Sequence, residues 1–175
     1  MRMSYPHWIQ FQGQRLGLVW QTDDEAGDEG DSDGVLVYKG RIVWARNQED
    51  FSELARQHNL TLAAGNEEPQ NLDGIEELLQ LPASDDICAQ LLNAWNLLGD
   101  IARSVNASLD DRGPEADKCY DKLFYGNNLP SITPPGEHYS PYFDDHEQRI
   151  ISEILDRGRV ILSSRLDQPA TTRGI

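Results

Sequence analysis

The segment that most constrains the fold is residues 85–106, which read DDICAQLLNAWNLLGDIARSVN. Its apolar residues recur at intervals of three and four, the spacing that places side chains on one face of a helix. They are Ile87, Leu91, Ala94, Trp95, Leu98, Ile101, Ala102 and Val105. Ser84 or Asp85 is suited to cap the first turn, and further apolar residues widen the stripe beyond that of a surface helix. The sequence therefore predicts a central, mostly buried helix.

Two amides flank the tryptophan of this helix and are its least expected residues. Asn93 and Asn96 stand on either side of Trp95. A buried amide without a hydrogen bond costs about 1–3 kcal/mol. We therefore expect one of the two to hold a neighbouring loop.

The charge balance excludes several classes of partner. The 175 residues contain 30 acidic and 15 basic side chains, a net charge of −15. Such a surface repels nucleic acids and anionic membranes and attracts basic partners. The length fits one domain, which we expect over residues 1–166, with a frayed tail over 167–175.

The sequence has neither a membrane-spanning run nor a secretory signal, and this indicates the compartment. No run approaches the roughly 20 apolar residues that span a bilayer. The N-terminus, MRMSYPHWIQFQ, has neither an apolar core nor a small-residue cleavage site. We therefore expect a cytoplasmic protein in which Cys88 and Cys119 are reduced, packed thiols.

The N-terminal third has the pattern of two hairpins. Residues 5–11 and 15–20 are β-type runs around Gln12-Gly13-Gln14. Residues 34–38 and 41–45 flank Lys39-Gly40, a two-residue turn in which glycine can take positive φ.

Seven acidic residues and no basic one lie between these hairpins, within residues 23–33. They are Asp23, Asp24, Glu25, Asp28, Glu29, Asp31 and Asp33. A calcium loop with Gly34 at its sixth position would place Gly40 where a bidentate glutamate is needed. The run is therefore either a solvated, mobile loop or a contact surface for a basic partner.

Most of the remaining chain is helical by its pattern. Helices are predicted over residues 49–58, 72–81, 117–125 and 144–157, the last ended by Gly158, with a final strand over 160–162. Residues 63–71, 108–115 and 126–142 are predicted as loops. The fold class is therefore α+β, a single domain whose antiparallel sheet, built from the N-terminal hairpins, packs against the central helix and further helices.

No catalytic or metal-binding signature emerges. His138 and His146 lie near Glu137, Asp144 and Asp145, but their spacing matches no common zinc framework. There is no GxSxG, no cysteine in a recognisable catalytic setting, and no glycine-rich phosphate loop after a strand. We expect no enzyme, no metal and no cofactor.

Residues 120–143, YDKLFYGNNLPSITPPGEHYSPYF, have the composition of a recognition surface. Aromatic rings and two adjacent amides lie in a segment that its prolines stiffen, which lowers the entropy lost on binding. The alternative is a long loop pinned to the core by the same aromatics. If the segment binds a partner, the candidate residues are Tyr125, Asn127, Asn128, Tyr139 and Tyr142.

Three stretches together, LLNAWNLLGDIA, then residues 120–143, then EQRIISEILDRG, resemble bacterial immunity proteins. These are the cognate inhibitors encoded beside polymorphic or contact-dependent growth inhibition toxins. The resemblance covers residues 85–158 and implies an inhibitory binder without chemistry of its own. It carries over no toxin-contacting residue.

The acidic composition agrees with this implication, because a basic nuclease toxin is the partner that such a surface would fit. Two alternatives remain. One is a small acidic regulatory module that binds a cellular protein, and the other is a cryptic hydrolase.

Overall fold

The computed structural model describes residues 2–23 and 33–169. It confirms the α+β class, with a sheet in which antiparallel pairing dominates. The described residues fall into two compact units. The first draws on Met1–Asp73, Asp100–Ala107 and Ile161–Ile175, and the second on Gly74–Gly99 and Ser108–Val160. The single domain expected over residues 1–166 stays a prediction.

The first unit is built on the predicted opening hairpin. Strands β1 (Arg2–Phe11) and β2 (Gln14–Asp23) pair antiparallel along their whole length. Gln12 and Gly13 between them have φ of 51° and 72°. Two successive positive φ values are those of a type I′ turn, whose twist matches that of the flanking strands.

The second predicted hairpin is divided between two sheets. Strands β4 (Val37–Tyr38) and β5 (Arg41–Ile42) pair around Lys39-Gly40, whereas β3 (Gly34–Val35) and β6 (Trp44–Ala45) pair with β2. The hairpin predicted over 34–38 and 41–45 is therefore present, but each strand is interrupted in the middle, at Leu36 and Val43, because β2 pairs with both outer segments. The structure also corrects the loop predicted over 63–71, since β7 (Gln70–Asn71) pairs parallel with β1.

Helix α1 (Gln48–Gln57) packs its apolar face on this sheet. Asn47 caps it by accepting a hydrogen bond from the Asp50 N–H at 2.9 Å. Phe51 and Leu54 join Trp8 and other sheet residues in one buried cluster. Gly17 of β2 lies under Phe51, where a Cβ would come within 2.4 Å of the ring. Only glycine fits there.

A partly buried histidine makes the first unit sensitive to acid. His7 Nε2 lies 3.0 Å from Gln70 Oε1, and burial lowers the pKa of His7 below 6.5 despite that hydrogen bond. The unfolded chain therefore takes up a proton that the folded chain resists, so stability falls as the pH drops from 6.5 to the folded pKa. Urea unfolding between about pH 7.5 and pH 5 should show this loss, and His7→Gln should flatten the profile. An unchanged slope in His7→Gln would contradict it.

The second unit contains a 3₁₀ helix (Ile75–Gln80), most of α2 (Asp85–Ser104), all of α3 (Pro114–Gly126) and most of α4 (Asp145–Arg165). The central-helix prediction is confirmed. Ser84 caps α2, with its Oγ accepting from the Ile87 N–H at 3.2 Å. Trp95 is only 2% exposed.

Trp95 is fixed by polar as well as apolar contacts. Its Nε1 donates to Asp111 Oδ2 at 2.8 Å. Its ring packs edge-on against that of Tyr120, with 5.4 Å between the ring centroids. Asn93 and Asn96 are both exposed, so the expected buried amide is wrong. Asn96 Oδ1 accepts from the Tyr120 hydroxyl at 2.9 Å and thus binds helix α3 rather than a loop.

Helices α3 and α4 are longer than the predicted helices over 117–125 and 144–157. Helix α3 begins at Pro114 because proline is favoured in the first turn, where its missing N–H has no intrahelical partner to lose. Helix α4 continues through Gly158 to Arg165, so the strand predicted over 160–162 is wrong. Gly158 is buried against Leu98, and a Cβ there would lie 2.6 Å from Leu98 Cβ. The glycine permits close helix packing and does not end the helix.

Two helical glycines should therefore respond to alanine in opposite directions. Gly158→Ala should lower the unfolding free energy by about 1–3 kcal/mol through overpacking. At Gly99 a Cβ would meet its nearest neighbour, Leu109, at a comfortable 3.8 Å. Gly99→Ala should raise stability by about 0.5–1 kcal/mol through its higher helix propensity. Denaturant unfolding of both variants checks the signs, and a stabilised Gly158→Ala would refute the close contact.

Helices α3 and α4 are joined by a partly buried ion pair. Lys122 Nζ lies 2.7 Å from Glu147 Oε2, with side chains 20% and 8% exposed. Glu147 also forms a capping box with Asp144, since each side chain accepts from the backbone N–H of the other, at 3.3 and 2.8 Å. One carboxylate thus anchors α3 and fixes the start of α4.

Cys88 and Cys119 are free and buried in this unit. Burial raises the pKa of each thiol to about 11, so both are poor nucleophiles near neutral pH. Among the described residues, none of the helices has the length and apolar content needed to cross a membrane.

Candidate functional site

The structure describes only the two ends of the acidic run. Asp23 ends strand β2 and Asp33 precedes β3, and both are half-buried. The other five predicted contact residues lie outside the described residues: Asp24, Glu25, Asp28, Glu29 and Asp31. A contact role for the run stays a prediction.

The second candidate segment borders a concave surface of the second unit, which we call the α3 groove. It encloses about 740 Å³ between helix α3 and the loop that follows it. This volume is within the range of known ligand pockets, about 300–1,000 Å³. Its lining residues are Pro114, Asp117, Lys118, Asp121, Lys122, Tyr125, Asn128, Ile132, Thr133, Pro134, Glu137, His138 and Tyr139.

Some residues of this segment pack in the core and others are exposed, so the segment has both the structural and the recognition character that the sequence left open. Phe143 and Pro141 are buried and pin the loop to the unit. Tyr125, Tyr139 and Tyr142 are 53%, 41% and 78% exposed. Exposed tyrosines beside a concave surface are typical of recognition sites, because a ring offers contact area and a hydroxyl at little entropic cost.

Asn128 holds the loop in place. Its side-chain amide donates to the Tyr139 carbonyl at 2.7 Å, and its Oδ1 accepts from the Tyr139 N–H at 2.8 Å. The same amide donates to Asp85 Oδ1 at 2.8 Å. Asn128 has a φ of 50°, a conformation that asparagine tolerates better than most residues. One side chain thus replaces the backbone pairing of a strand, so Asn128 has a structural role beside any contact with a partner.

The remaining candidates, Asn127 and Tyr142, lie at the ends of the loop. The Asn127 N–H donates to the Leu123 carbonyl at 3.2 Å and closes helix α3. The carbonyl of Tyr142 accepts from Lys122 Nζ at 2.8 Å, which leaves its ring free to face solvent. Tyr125, Asn128 and Tyr139 line the α3 groove, whereas Asn127 and Tyr142 do not.

A chain of polar contacts crosses the groove rim. His138 Nε2 lies 2.8 Å from Asp85 Oδ1, and Ser140 Oγ lies 3.4 Å from His138 Nδ1. Hydrogen bonds from His138 and Asn128 lower the pKa of Asp85. The order of groups is that of a hydrolytic triad, with the two imidazole nitrogens exchanged. The side chains of His138 and Asp85 are more than half exposed, so water competes with each contact.

Sequence reasoning missed the charged wall of the groove. Asp117, Asp121 and Tyr125 follow one another at intervals of four and therefore lie on one face of α3. That spacing was readable in the predicted helix over 117–125. The loop that completes the groove was predicted as a recognition surface from its composition, but it has no period that would place Glu137 in the groove.

Within residues 2–23 and 33–169, no cluster of three or more histidine, cysteine or carboxylate side chains could hold a metal ion. Comparisons of the chain with protein families, with curated proteins and with solved structures found no match.

Proposed function

We propose that this protein is an immunity protein, a cytoplasmic inhibitor that binds and neutralises a cognate toxin domain. One observation carries the proposal: two exposed tyrosines, Tyr125 and Tyr139, line a groove whose loop is already fixed by Asn128. A preorganised surface loses little entropy when a partner binds. Inhibition would follow from occlusion of the toxin's active surface.

Charge supports a basic partner such as a nuclease. The second unit holds fifteen acidic and six basic residues, a net charge of −9, and the whole chain has −15. Complementary charge steers encounter and can raise association rates toward about 10⁸–10⁹ M⁻¹s⁻¹ at low salt. Such a surface would also mimic the anionic substrate of a nuclease.

The test is co-expression with the C-terminal domain of the protein encoded immediately upstream. Expression of that domain alone should arrest growth, and co-expression with this chain should restore it. A domain that is harmless, or that still arrests growth beside this chain, would refute the proposal. A small regulatory module with a cellular partner would be indicated by a harmless neighbour and a housekeeping gene context.

The acidic run between β2 and β3 should accelerate association without stabilising the fold. Changing its seven acids to Asn or Gln takes the net charge from −15 to −8. We expect unchanged stability, a slower association rate with the toxin domain and a shallower salt dependence, because rim charges act mainly on encounter. Stopped-flow association at low and moderate salt measures both quantities. Identical rates and salt slopes for the two proteins would show that the run has no steering role.

The contact chain of Asp85, His138 and Ser140 is the one observation that favours a hydrolase. If it were catalytic, purified protein should hydrolyse an activated ester such as p-nitrophenyl acetate, and Ser140→Ala should abolish the activity. Under the inhibitor proposal, wild type and Ser140→Ala show the same background rate. Loss of a measurable activity in Ser140→Ala would favour the hydrolase.

A further inference from the structure

The α3 groove is lined by two kinds of side chain, and both kinds occur on helix α3 and on the loop. Its aromatic part consists of the exposed rings of Tyr125 and Tyr139, and its charged part contains the exposed carboxylates of Asp117, Asp121 and Glu137. At about 740 Å³ the groove is larger than a single side chain and suits a short peptide segment.

The three carboxylates of the groove are not engaged in ion pairs with the described residues. Within residues 2–23 and 33–169, no ion pair forms on the side chains of Asp117, Asp121 or Glu137. Asp117 and Asp121 are four residues apart on α3, an arrangement in which like charges repel. A cation bound between them would relieve that repulsion.

Of the two lysines in the wall, one is already committed. Lys122 Nζ pairs with Glu147 at 2.7 Å and donates to the Tyr142 carbonyl at 2.8 Å. Its charge is therefore balanced by a buried carboxylate outside the groove. Lys118 alone opposes three carboxylates, so the groove has an acidic excess.

We propose that the α3 groove binds an arginine-bearing segment of the partner, with the guanidinium between the carboxylates of Asp117 and Asp121 and the rings of Tyr125 and Tyr139. Arginine fits better than lysine because its planar group forms forked hydrogen bonds with carboxylates and stacks on aromatic faces. The inference rests on the proposed inhibitory function and names the partner chemistry that this site recognises.

The test uses the full-length ¹⁵N-labelled protein and three synthetic peptides, acetyl-GRGRG-amide and its lysine and citrulline counterparts. Citrulline keeps the shape of arginine and removes the charge. At about 150 mM salt, where distant charges are screened, the arginine peptide should produce saturable shifts in the amides of α3 and residues 137–139. We expect the affinity of the citrulline peptide to be at least about tenfold lower than that of the arginine peptide. Equal affinities of the arginine and citrulline peptides, or amide shifts outside α3 and residues 137–139, would overturn the proposal.

Matched variants separate the groove from general electrostatics. Asp117→Asn with Asp121→Asn removes two exposed groove charges, and Glu77→Gln with Glu153→Gln removes two exposed charges of the same unit outside the groove. Only the first pair of substitutions should lower the affinity for the arginine peptide, by about tenfold. Equal weakening by both pairs would refute a specific site. Thermal unfolding confirms that each variant is folded.

The same variants distinguish this inference from the proposed function. If wild type restores growth beside the toxin and the Asp117→Asn, Asp121→Asn protein does so with unchanged affinity for the toxin, the groove proposal fails and the inhibitor proposal stands. If wild type does not restore growth, the inhibitor proposal fails, and the peptide titration still decides whether the groove binds arginine.

Discussion

Trp95→Ala should lower the unfolding free energy by about 3–5 kcal/mol, because it removes a large buried side chain and leaves a cavity. The residue is 2% exposed, contacts Tyr120 edge-on and donates a hydrogen bond to Asp111. The substitution therefore also leaves a carboxylate without its donor. Denaturant titration followed by circular dichroism measures the loss.

Trp95→Phe is the matched control. It retains an aromatic ring near Tyr120 and loses only the Nε1 hydrogen bond and part of the volume, so it should cost less than Trp95→Ala. If Trp95→Ala melted within a degree or two of wild type, α2 would not be the central element of the second unit.

Glu147→Ala should be the second severe substitution, with a loss of about 3 kcal/mol, because removing the buried partner of this ion pair leaves the charge of the partly buried Lys122 uncompensated. Lys122 Nζ would lose its contacts with both carboxylate oxygens, at 2.8 and 2.7 Å. The capping box at the start of α4 would open as well. Equilibrium unfolding in urea quantifies the effect.

A double-mutant cycle isolates the ion pair from the cap. Glu147→Gln keeps an oxygen that can accept from the Asp144 N–H and removes the charge. Combined with Lys122→Met, it should cost less than the sum of the single changes, with a coupling of about 0.5–3 kcal/mol. Additive losses would show that the two charges do not stabilise each other.

The elements that the sequence predicted well are those defined by a local pattern. Helix α2 has an apolar residue every three or four positions over five turns, and β1 and β2 have β-type compositions and are separated by a turn that glycine favours. The prediction that Gly158 ends a helix was wrong because the contact that requires glycine there is not local in sequence. Leu98 lies sixty positions earlier in the chain, and only the folded structure shows that a Cβ would collide with it.

The site was predictable in part for the same reason. Its exposed tyrosines belong to a segment whose composition indicates recognition. The hydrogen bond between Asn128 and Asp85 joins residues 43 positions apart, and the local sequence around either residue does not predict it. The facing of Asp117 and Asp121 toward the loop likewise depends on tertiary structure, although their common helix face was readable.

The two-way hydrogen bond between Asn128 and the backbone of Tyr139 closes residues 129–138 into a ring that contains its own turns. Residues 129–131, 135 and 136, which do not line the α3 groove, can change in sequence while Asn128 keeps its hydrogen bonds to Tyr139 and Asp85. Doubling the length of a flexible loop costs only about 0.6 kcal/mol in closure entropy. A lineage under pressure to recognise new partners could therefore rewrite or lengthen this stretch without unfolding the helices beneath it.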